Sequence, residues 1–288
     1  MKNNTVVSRI ISDYSTHEIL YICKVLNKSY NIYDTEEARW GKISYALFKS
    51  SKQHIDELKS VMYSNQFIND LIFQHYACER VIKYYFIQKL KNQKNHVIAF
   101  EMSVADSRVD ICRINGESFA YEIKTEYDSF DRLESQIKDY ANTFDKVYVI
   151  IPKMRINEIK EVLPNSCGII LYRTGKNNQL VFSYFRKAEK NKCDPSVCIR
   201  SLSSHDLSIM LRMLSLEDHN TKEAKEKSLI EYSSNHSIWK AYKQFLKQKY
   251  EPQWSFLIQH FEEILPIDVQ TFFSTSLSPH LFYQAKKA

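Results

Sequence analysis

The sequence predicts an α/β protein with a mixed central β-sheet and helical extensions at both ends. Two observations lead to this fold class. Short β-prone runs bounded by turn residues lie in the middle of the chain, whereas helical periodicity dominates the flanks. We therefore divide the chain into an N-terminal helical extension at 1–65, an α/β core at 66–190 and a C-terminal helical region at 191–288.

The composition is that of a globular protein. The chain has 288 residues, of which 44% are hydrophobic and 26% charged, enough for one large core or two modest ones. The net charge of +6 is compatible with a polyanionic partner but does not identify one. Because we find neither a membrane-spanning apolar stretch nor a signal peptide, we expect a cytoplasmic protein without a membrane partner. The sequence leaves the oligomeric state open.

Residues 107–124 are predicted to form a β-hairpin around Asn115-Gly116. The apolar residues of both strands have odd numbers. They share a face only if the numbers of two directly opposed residues add up to an even value. A three-residue loop, 114–116, with Gly116 in the left-handed conformation satisfies this by opposing Arg113 to Glu117. The predicted apolar face then contains Val109, Ile111, Phe119, Tyr121 and Ile123.

The opposite face of this hairpin contains two carboxylates and a lysine. Asp110 is predicted to face Ala120, with Glu122 as its diagonal neighbour and Lys124 two residues further along the strand. Hydrolysis of a phosphodiester needs an activated water and neutralised phosphate charge, and Mg²⁺, which prefers oxygen ligands, can provide both. We therefore predict that Asp110 and Glu122 bind the ion, with the carbonyl of Ile123 as a further ligand. A Glu-x-Lys pattern alone is more typical of a solvated strand face, and the metal site is favoured here because Asp110 falls on the same face.

Two glutamates are candidates to complete this site. Glu101 lies in a predicted strand, 97–104, on the side opposite its alternating apolar residues. Glu79 lies in a predicted helix, 67–90. Either glutamate is also explained as a surface or salt-bridged carboxylate. We favour Glu101.

A helix is predicted after the hairpin, capped by Asp128 or Ser129. Arg132, Gln136 and Tyr140 recur at helical spacing beside its apolar stripe, within reach of the end of the strand that contains Glu122. Strands at 146–151 and 168–173, a helix at 155–163 and an edge strand at 179–185 follow. The strand–helix–strand order predicts a parallel pair within the sheet.

Together these residues resemble the PD-(D/E)XK nuclease superfamily, in particular its RecB-like branch and a group of bacterial and phage proteins. The resemblance covers roughly residues 75–175 and depends on Arg108-Val109-Asp110, Glu122-Ile123-Lys124, and a Gln-x-x-x-Tyr helix from Gln136 to Tyr140. It implies a restriction-endonuclease-like core, Mg²⁺ or Mn²⁺ bound by Asp110 and Glu122, a catalytic Lys124, and a further glutamate from an upstream helix. The chain departs from the pattern in having Glu rather than Asp before x-Lys.

The resemblance implies a metal-dependent nuclease that hydrolyses phosphodiester bonds, with DNA favoured over RNA. Arg108, Arg132, Gln136 and Tyr140 are the expected substrate contacts. The alternative is a non-catalytic protein on the same fold that binds nucleic acid, or binds a protein partner through its helical flanks, as a toxin, immunity or regulatory component. In 239–247, Lys240, Lys243 and Lys247 form either a nucleic-acid-tracking face or an ordinary solvated helix face. The charged stretch 187–195 is the predicted linker.

Overall fold

The computed structural model describes residues 2–283, without the side chains of residues 2–4 and 177. Its residues form two compact units, whose boundary first falls between Tyr85 and Phe86. The first unit comprises the chain up to Tyr85, Gly175–Gln179 and the chain from His260 onward, and the second comprises Phe86–Thr174 and Leu180–Gln259. These units divide the chain differently from the three predicted segments. None of the helices in residues 2–283 has both the length and the apolar character needed to cross a membrane.

The first unit is helical. Side-chain caps explain where several of its helices begin, because Ser15, Thr35 and Ser51 each accept a hydrogen bond from an exposed amide of the first turn. Near the end of the described chain, the buried carboxylate of Asp268 accepts hydrogen bonds from the hydroxyls of Tyr30, at 3.0 Å, and Tyr283, at 2.6 Å. The helices are α1 (Lys2–Ile11), α2 (Thr16–Ser29), α3 (Glu36–Ala46), α4 (Lys52–Val61), α5 (Ser64–His75), the start of α6 (Glu79–Leu90) and α13 (Val269–Thr275).

The second unit contains a mixed β-sheet, which confirms the predicted fold class. Within the described residues the sheet has six strands, which are β1 (Val97–Val104), β2 (Ser107–Ile114), β3 (Ser118–Ile123), β4 (Lys146–Pro152), β5 (Gly168–Thr174) and β6 (Leu180–Arg186). They lie in the order β1-β2-β3-β4-β5-β6. β3, β4 and β5 are parallel to one another, and the other neighbouring pairs are antiparallel.

Helices cover both faces of this sheet. On one face, the ring of Phe86 from α6 packs 4.9 Å from Tyr121 of β3 and 5.3 Å from Phe182 of β6, measured between centroids. On the other face, α7 (Leu133–Thr143) contacts β1, β2 and β4, and α12 (Asn235–Gln259) contacts β1 and β2. The helices of this unit, besides the end of α6, are α7 (Leu133–Thr143), α8 (Ile156–Val162), α9 (Pro195–Arg200), α10 (Ser204–Met213), α11 (Lys222–Tyr232) and α12 (Asn235–Gln259).

The hairpin has the predicted parity but not the predicted register. Gly116 has a φ of +96°, as expected for a left-handed turn residue. However, Arg113 opposes Phe119 rather than Glu117, and Ile114 opposes Ser118, so the loop is 115–117. The amide of Asn115 donates to the carbonyl of Glu117 at 3.0 Å, which closes the turn. The numbers of two opposed residues still add up to an even value, so the apolar face is preserved. The residue opposite each position, however, lies two positions further along the second strand than predicted.

Several predicted helix boundaries are wrong. The helix predicted at 67–90 is two helices, because the chain turns at Tyr76 and Cys78 although neither glycine nor proline marks the break. Although proline usually breaks or kinks a helix, α12 continues through Pro252. The helix after the hairpin begins at Leu133 and is not capped by Asp128, whose carboxylate instead accepts the amide hydrogen of Thr125 at 2.7 Å.

The stretch predicted as a linker is packed within the second unit. The amide of Asn191 donates to the carbonyl of Asp145 at 2.8 Å. Asp145 is 1% exposed and also accepts hydrogen bonds from the indole of Trp239, at 3.2 Å, and from Lys243, at 3.0 Å. Burial opposes ionisation, but hydrogen bonds, including that from the Ser118 amide, hold the pKa of Asp145 below its usual value. One lysine of the predicted nucleic-acid-tracking face is therefore engaged in packing α12.

Candidate active site

The candidate site lies on the α7 side of the sheet, near the end of β3. Its centre is Glu122, a carboxylate that is 3% exposed on a strand whose residues are all buried. One carboxylate oxygen accepts hydrogen bonds from the Gln136 amide at 2.8 Å and lies 3.0 Å from the Lys124 ammonium. The other oxygen lies 2.8 Å from the hydroxyl of Tyr140. A buried carboxylate needs such partners because burial without them is costly.

Helix α7 supplies two of these partners from one face. Gln136 and Tyr140 are four residues apart, so their side chains lie one above the other along the helix. Gln136 bridges the pair, since its amide donates to Glu122 and its carbonyl accepts from the Lys124 ammonium at 3.0 Å. The Glu-x-Lys strand and the Gln-x-x-x-Tyr helix thus form one hydrogen-bond network.

Tyr140 is fully buried and joins two strands. Its hydroxyl lies 2.8 Å from both the Glu122 carboxylate and the backbone carbonyl of Arg108, so its single hydrogen is shared between two acceptors. Burial and the negative charges of Glu122 and Asp110 raise the pKa of Tyr140 above its usual range. The phenol is therefore a neutral group that holds Glu122 in place. Its predicted contact with substrate stays a prediction.

Asp110 is directed toward the end of β3. Its carboxylate accepts the amide hydrogen of Ile123 at 2.6 Å. The observed strand register, continued by one residue, sets Asp110 opposite Glu122 rather than opposite Ala120. Both carboxylates influence the same Tyr140 hydroxyl. The shift of the hairpin register has therefore made these two residues direct rather than diagonal neighbours.

Glu101 lies beside Asp110 on the neighbouring strand. A carboxylate oxygen of each is within 4.8 Å of the other, and Glu101 also pairs with Arg108 at 2.6 Å. Glu101 has a φ of +53°, a left-handed conformation that is unusual for a glutamate inside a strand. Glu79, the other candidate, is the first residue of α6 and belongs to the first unit, where it pairs with Lys83.

The remaining predicted residues have different positions. Arg108 is ion-paired and 68% exposed, and Arg132 is exposed at the N-cap of α7. The Ile123 amide, rather than its carbonyl, has a defined partner in the site, so its role as a ligand stays a prediction. Sequence reasoning missed the hydrogen bond from the Ser107 hydroxyl to Asp139, which ties the start of β2 to α7. No pattern in the sequence relates these two polar residues.

The donor set suits a hard divalent cation. Glu101, Asp110 and Glu122 offer carboxylate oxygens, and with Arg108 and Lys124 the five side chains have a formal net charge of −1. A carboxylate has about four lone-pair positions, so the three donors around Glu122 leave room for a further bond. Oxygen ligands of this kind are those that Mg²⁺ and Mn²⁺ prefer.

A separate cleft lies in the first unit and contains none of these residues. It has a volume of about 630 Å³, and its lining includes the apolar residues Ile11, Phe67 and Leu71 and the polar residue Asp70. A cleft of this volume is within the range typical of ligand sites. The chemistry-bearing cluster, however, lies on the sheet of the second unit.

The fold and the cluster define an α/β protein with an Asp, Glu and Lys group on one face of a mixed sheet. A family model described as bacteriophage P4 protein cII matches residues 73–272, well over half of the chain. The chain belongs to this family. The match includes every candidate site residue described above.

Individual relatives are distant. Protein cII of Enterobacteria phage P4 is 29% identical over 89 residues, which are 30% of this chain and 33% of that protein. The match therefore spans about a third of the length of this relative. A solved structure of a protein of unknown function from Silicibacter pomeroyi has 16% identity, covers 49% of this chain and 91% of its own, and gives a TM-score of 0.30. At this TM-score we infer nothing about the fold or the function from the similarity.

Proposed function

We propose that this protein is a metal-dependent nuclease that hydrolyses phosphodiester bonds of nucleic acid, with DNA as the favoured substrate. The observation that carries the proposal is the network in which Lys124, Gln136 and Tyr140 all contact Glu122 beside Asp110. It joins the two motifs on which the resemblance to the PD-(D/E)XK nucleases depends, although they are separated in sequence.

The residues have distinct proposed roles. Asp110 and Glu122 would hold Mg²⁺ or Mn²⁺, with Glu101 as a further ligand. A bound cation supplies a Lewis acid for the negative charge that develops on the phosphate. Lys124 is 12% exposed, its amide donates to the carbonyl of Ile150 at 2.9 Å, and its ammonium contacts Glu122 and Gln136. This ammonium would orient a water molecule or stabilise the phosphate.

Gln136 and Tyr140 are proposed to position this machinery. They bind Glu122 from a helix, and sites held by regular elements are more rigid than sites on loops. Arg108 and Arg132, both exposed on the same unit, are the proposed contacts for backbone phosphates.

The test is cleavage of single-stranded DNA, duplex DNA and RNA with Mg²⁺ or Mn²⁺. Asp110→Ala and Lys124→Ala should reduce activity by at least about 100-fold, since each removes a group from the chemical step. Matched controls are Asp106→Ala and Lys138→Ala, which remove the same charges from exposed positions nearby in sequence. Equal cleavage by wild type, site variants and controls would indicate a contaminating nuclease and refute the assignment.

A second candidate function is supported by the burial of Glu122. A carboxylate with 3% exposure and three partners is also what a purely structural network would contain. In that case the protein would bind nucleic acid or a protein partner without cleaving anything. Calorimetric measurement of Mn²⁺ binding separates the two functions. A nuclease should bind the ion, and the Asp110→Ala variant should lose this binding. A protein in which the network is purely structural should bind no Mn²⁺.

A further inference from the structure

The Arg108–Glu101 ion pair lies at the edge of the candidate site and involves one of its carboxylates. The Arg108 nitrogen Nε is 2.6 Å from a carboxylate oxygen of Glu101. The side chain of Arg108 is 68% exposed, whereas that of Glu101 is 21% exposed. The backbone of Arg108 is fixed, because it pairs with Ser103 in the sheet and its carbonyl lies 2.8 Å from the Tyr140 hydroxyl. A fixed backbone thus carries a guanidinium that is in contact with solvent.

The backbone of Glu101 is unusual at this point. Phe100 pairs with Ile111 and Met102 pairs with Val109, so the register on either side sets Glu101 opposite Asp110, yet these two residues do not pair themselves. The φ of +53° at Glu101 interrupts the ladder without shifting the register. Residues held in sparsely populated conformations by the surrounding structure cluster at functional sites. The carboxylate of Glu101 reaches Asp110 despite this interruption.

We propose that Arg108 is an exchangeable partner of Glu101 and couples phosphate binding to cation binding. In the free protein, Arg108 neutralises Glu101. When a phosphate of the nucleic acid binds Arg108, Glu101 is released and joins Asp110 as a ligand of the cation. This inference rests on the proposed function, because it assigns a regulatory step to the same site.

The chemistry favours such an exchange. A guanidinium binds carboxylate and phosphate through the same planar fork, so a phosphate can replace Glu101 without rearrangement of the backbone. Exposed ion pairs are weak because water competes for both partners. The two binding events must then strengthen each other equally, since coupling between sites is reciprocal. The result is a site that acquires its full set of carboxylates only when substrate is present.

The experiment measures Mn²⁺ affinity of the full-length protein by electron paramagnetic resonance, with and without a short phosphorothioate DNA oligonucleotide. In the wild type the oligonucleotide should tighten Mn²⁺ binding by about fivefold or more. Arg108→Ala should bind Mn²⁺ about three- to fivefold tighter than wild type without DNA, and should lose the effect of the oligonucleotide. Arg108→Lys keeps the charge but not the fork and should give an intermediate coupling.

A double variant separates exchange from simple charge repulsion. If Arg108 acts through Glu101, then Arg108→Ala adds no Mn²⁺ affinity in a Glu101→Gln background. A gain that persists there would mean that the positive charge alone weakens the ion, and would overturn the inference. Arg173→Ala, which removes an exposed arginine elsewhere in the second unit, should behave as wild type.

The outcomes also distinguish this inference from the function beneath it. A wild-type protein that binds no Mn²⁺ under any condition refutes the proposed nuclease. A wild-type protein that binds Mn²⁺ with the same affinity in the presence and absence of DNA refutes the exchange and leaves the nuclease standing.

Discussion

The pair formed by Glu122 and Lys124 makes a quantitative prediction about stability. Both side chains are nearly buried, at 4% and 12% exposure, and their charged atoms are 3.0 Å apart. We consider the variants Lys124→Met and Glu122→Gln, alone and together. Each single variant leaves one charge in a poorly solvated position, whereas the double variant removes both charges.

The expected magnitudes follow from what each variant leaves behind. Breaking a buried ion pair costs about 3–5 kcal/mol, and Lys124→Met should fall near 3 kcal/mol because Gln136 and Tyr140 still contact Glu122. Glu122→Gln should cost about 2 kcal/mol, since Lys124 keeps its bond to Gln136 and some contact with water. The double variant should cost about 3 kcal/mol rather than the sum of about 5, which is a coupling of about 2 kcal/mol.

Urea unfolding followed by tryptophan fluorescence measures these free energies. Trp239 and Trp254 lie in the second unit with the site, and Trp40 lies in the first. A Trp40→Phe background therefore reports on the unit that contains the pair, and unequal slopes of the transitions would reveal departure from two-state unfolding. Additive effects to within about 0.5 kcal/mol would refute the reasoning, because the two side chains would then not be coupled.

Three further predictions concern pH and the turn. Burial raises the pKa of Asp268 to about 6, above its value in the unfolded chain. The contribution of Asp268 to stability is therefore complete below about pH 4 and falls by up to about 3 kcal/mol as the pH rises through 6. In urea unfolding measured at several pH values, Asp268→Asn should abolish this dependence of stability on pH. Burial and the charge of Arg113 lower the pKa of His96 to about 4. The stability of the second unit should therefore fall as the pH drops from about 6.5 through 4. A urea midpoint that does not change with pH over this range would contradict the lowered pKa of His96. Gly116→Ala should destabilise the protein by about 1 kcal/mol because φ at this position is +96°. Gly41→Ala should instead stabilise the protein by about 0.5–1 kcal/mol, because Gly41 lies on an exposed part of α3 with no atom near the added Cβ. Equal changes in the urea midpoint of the two variants would show that backbone conformation does not decide either value.

The sequence determined the order of the central strands and helices because that information is local. Apolar runs, alternating or continuous, and the turn residues between them indicate where β1 to β6 lie, and the short connections favour pairing between neighbours. The same reasoning fixed which hairpin residues share a face, since parity depends only on the apolar pattern. It therefore predicted that Asp110, Glu122 and Lys124 share one face of the hairpin.

Tertiary structure decided the register, the helix boundaries and the partners. A shift of two residues preserves parity, so the pattern could not choose between Ala120 and Glu122 as the residue opposite Asp110; closure of the turn at 115–117 made that choice. The chain turns between α5 and α6 without a glycine or proline. The network around Glu122 and the left-handed Glu101 likewise depend on residues brought together from separate strands and from α7. Local periodicity determines which residues share a face of one helix or strand. The distances between residues of different elements are determined only when those elements pack against one another.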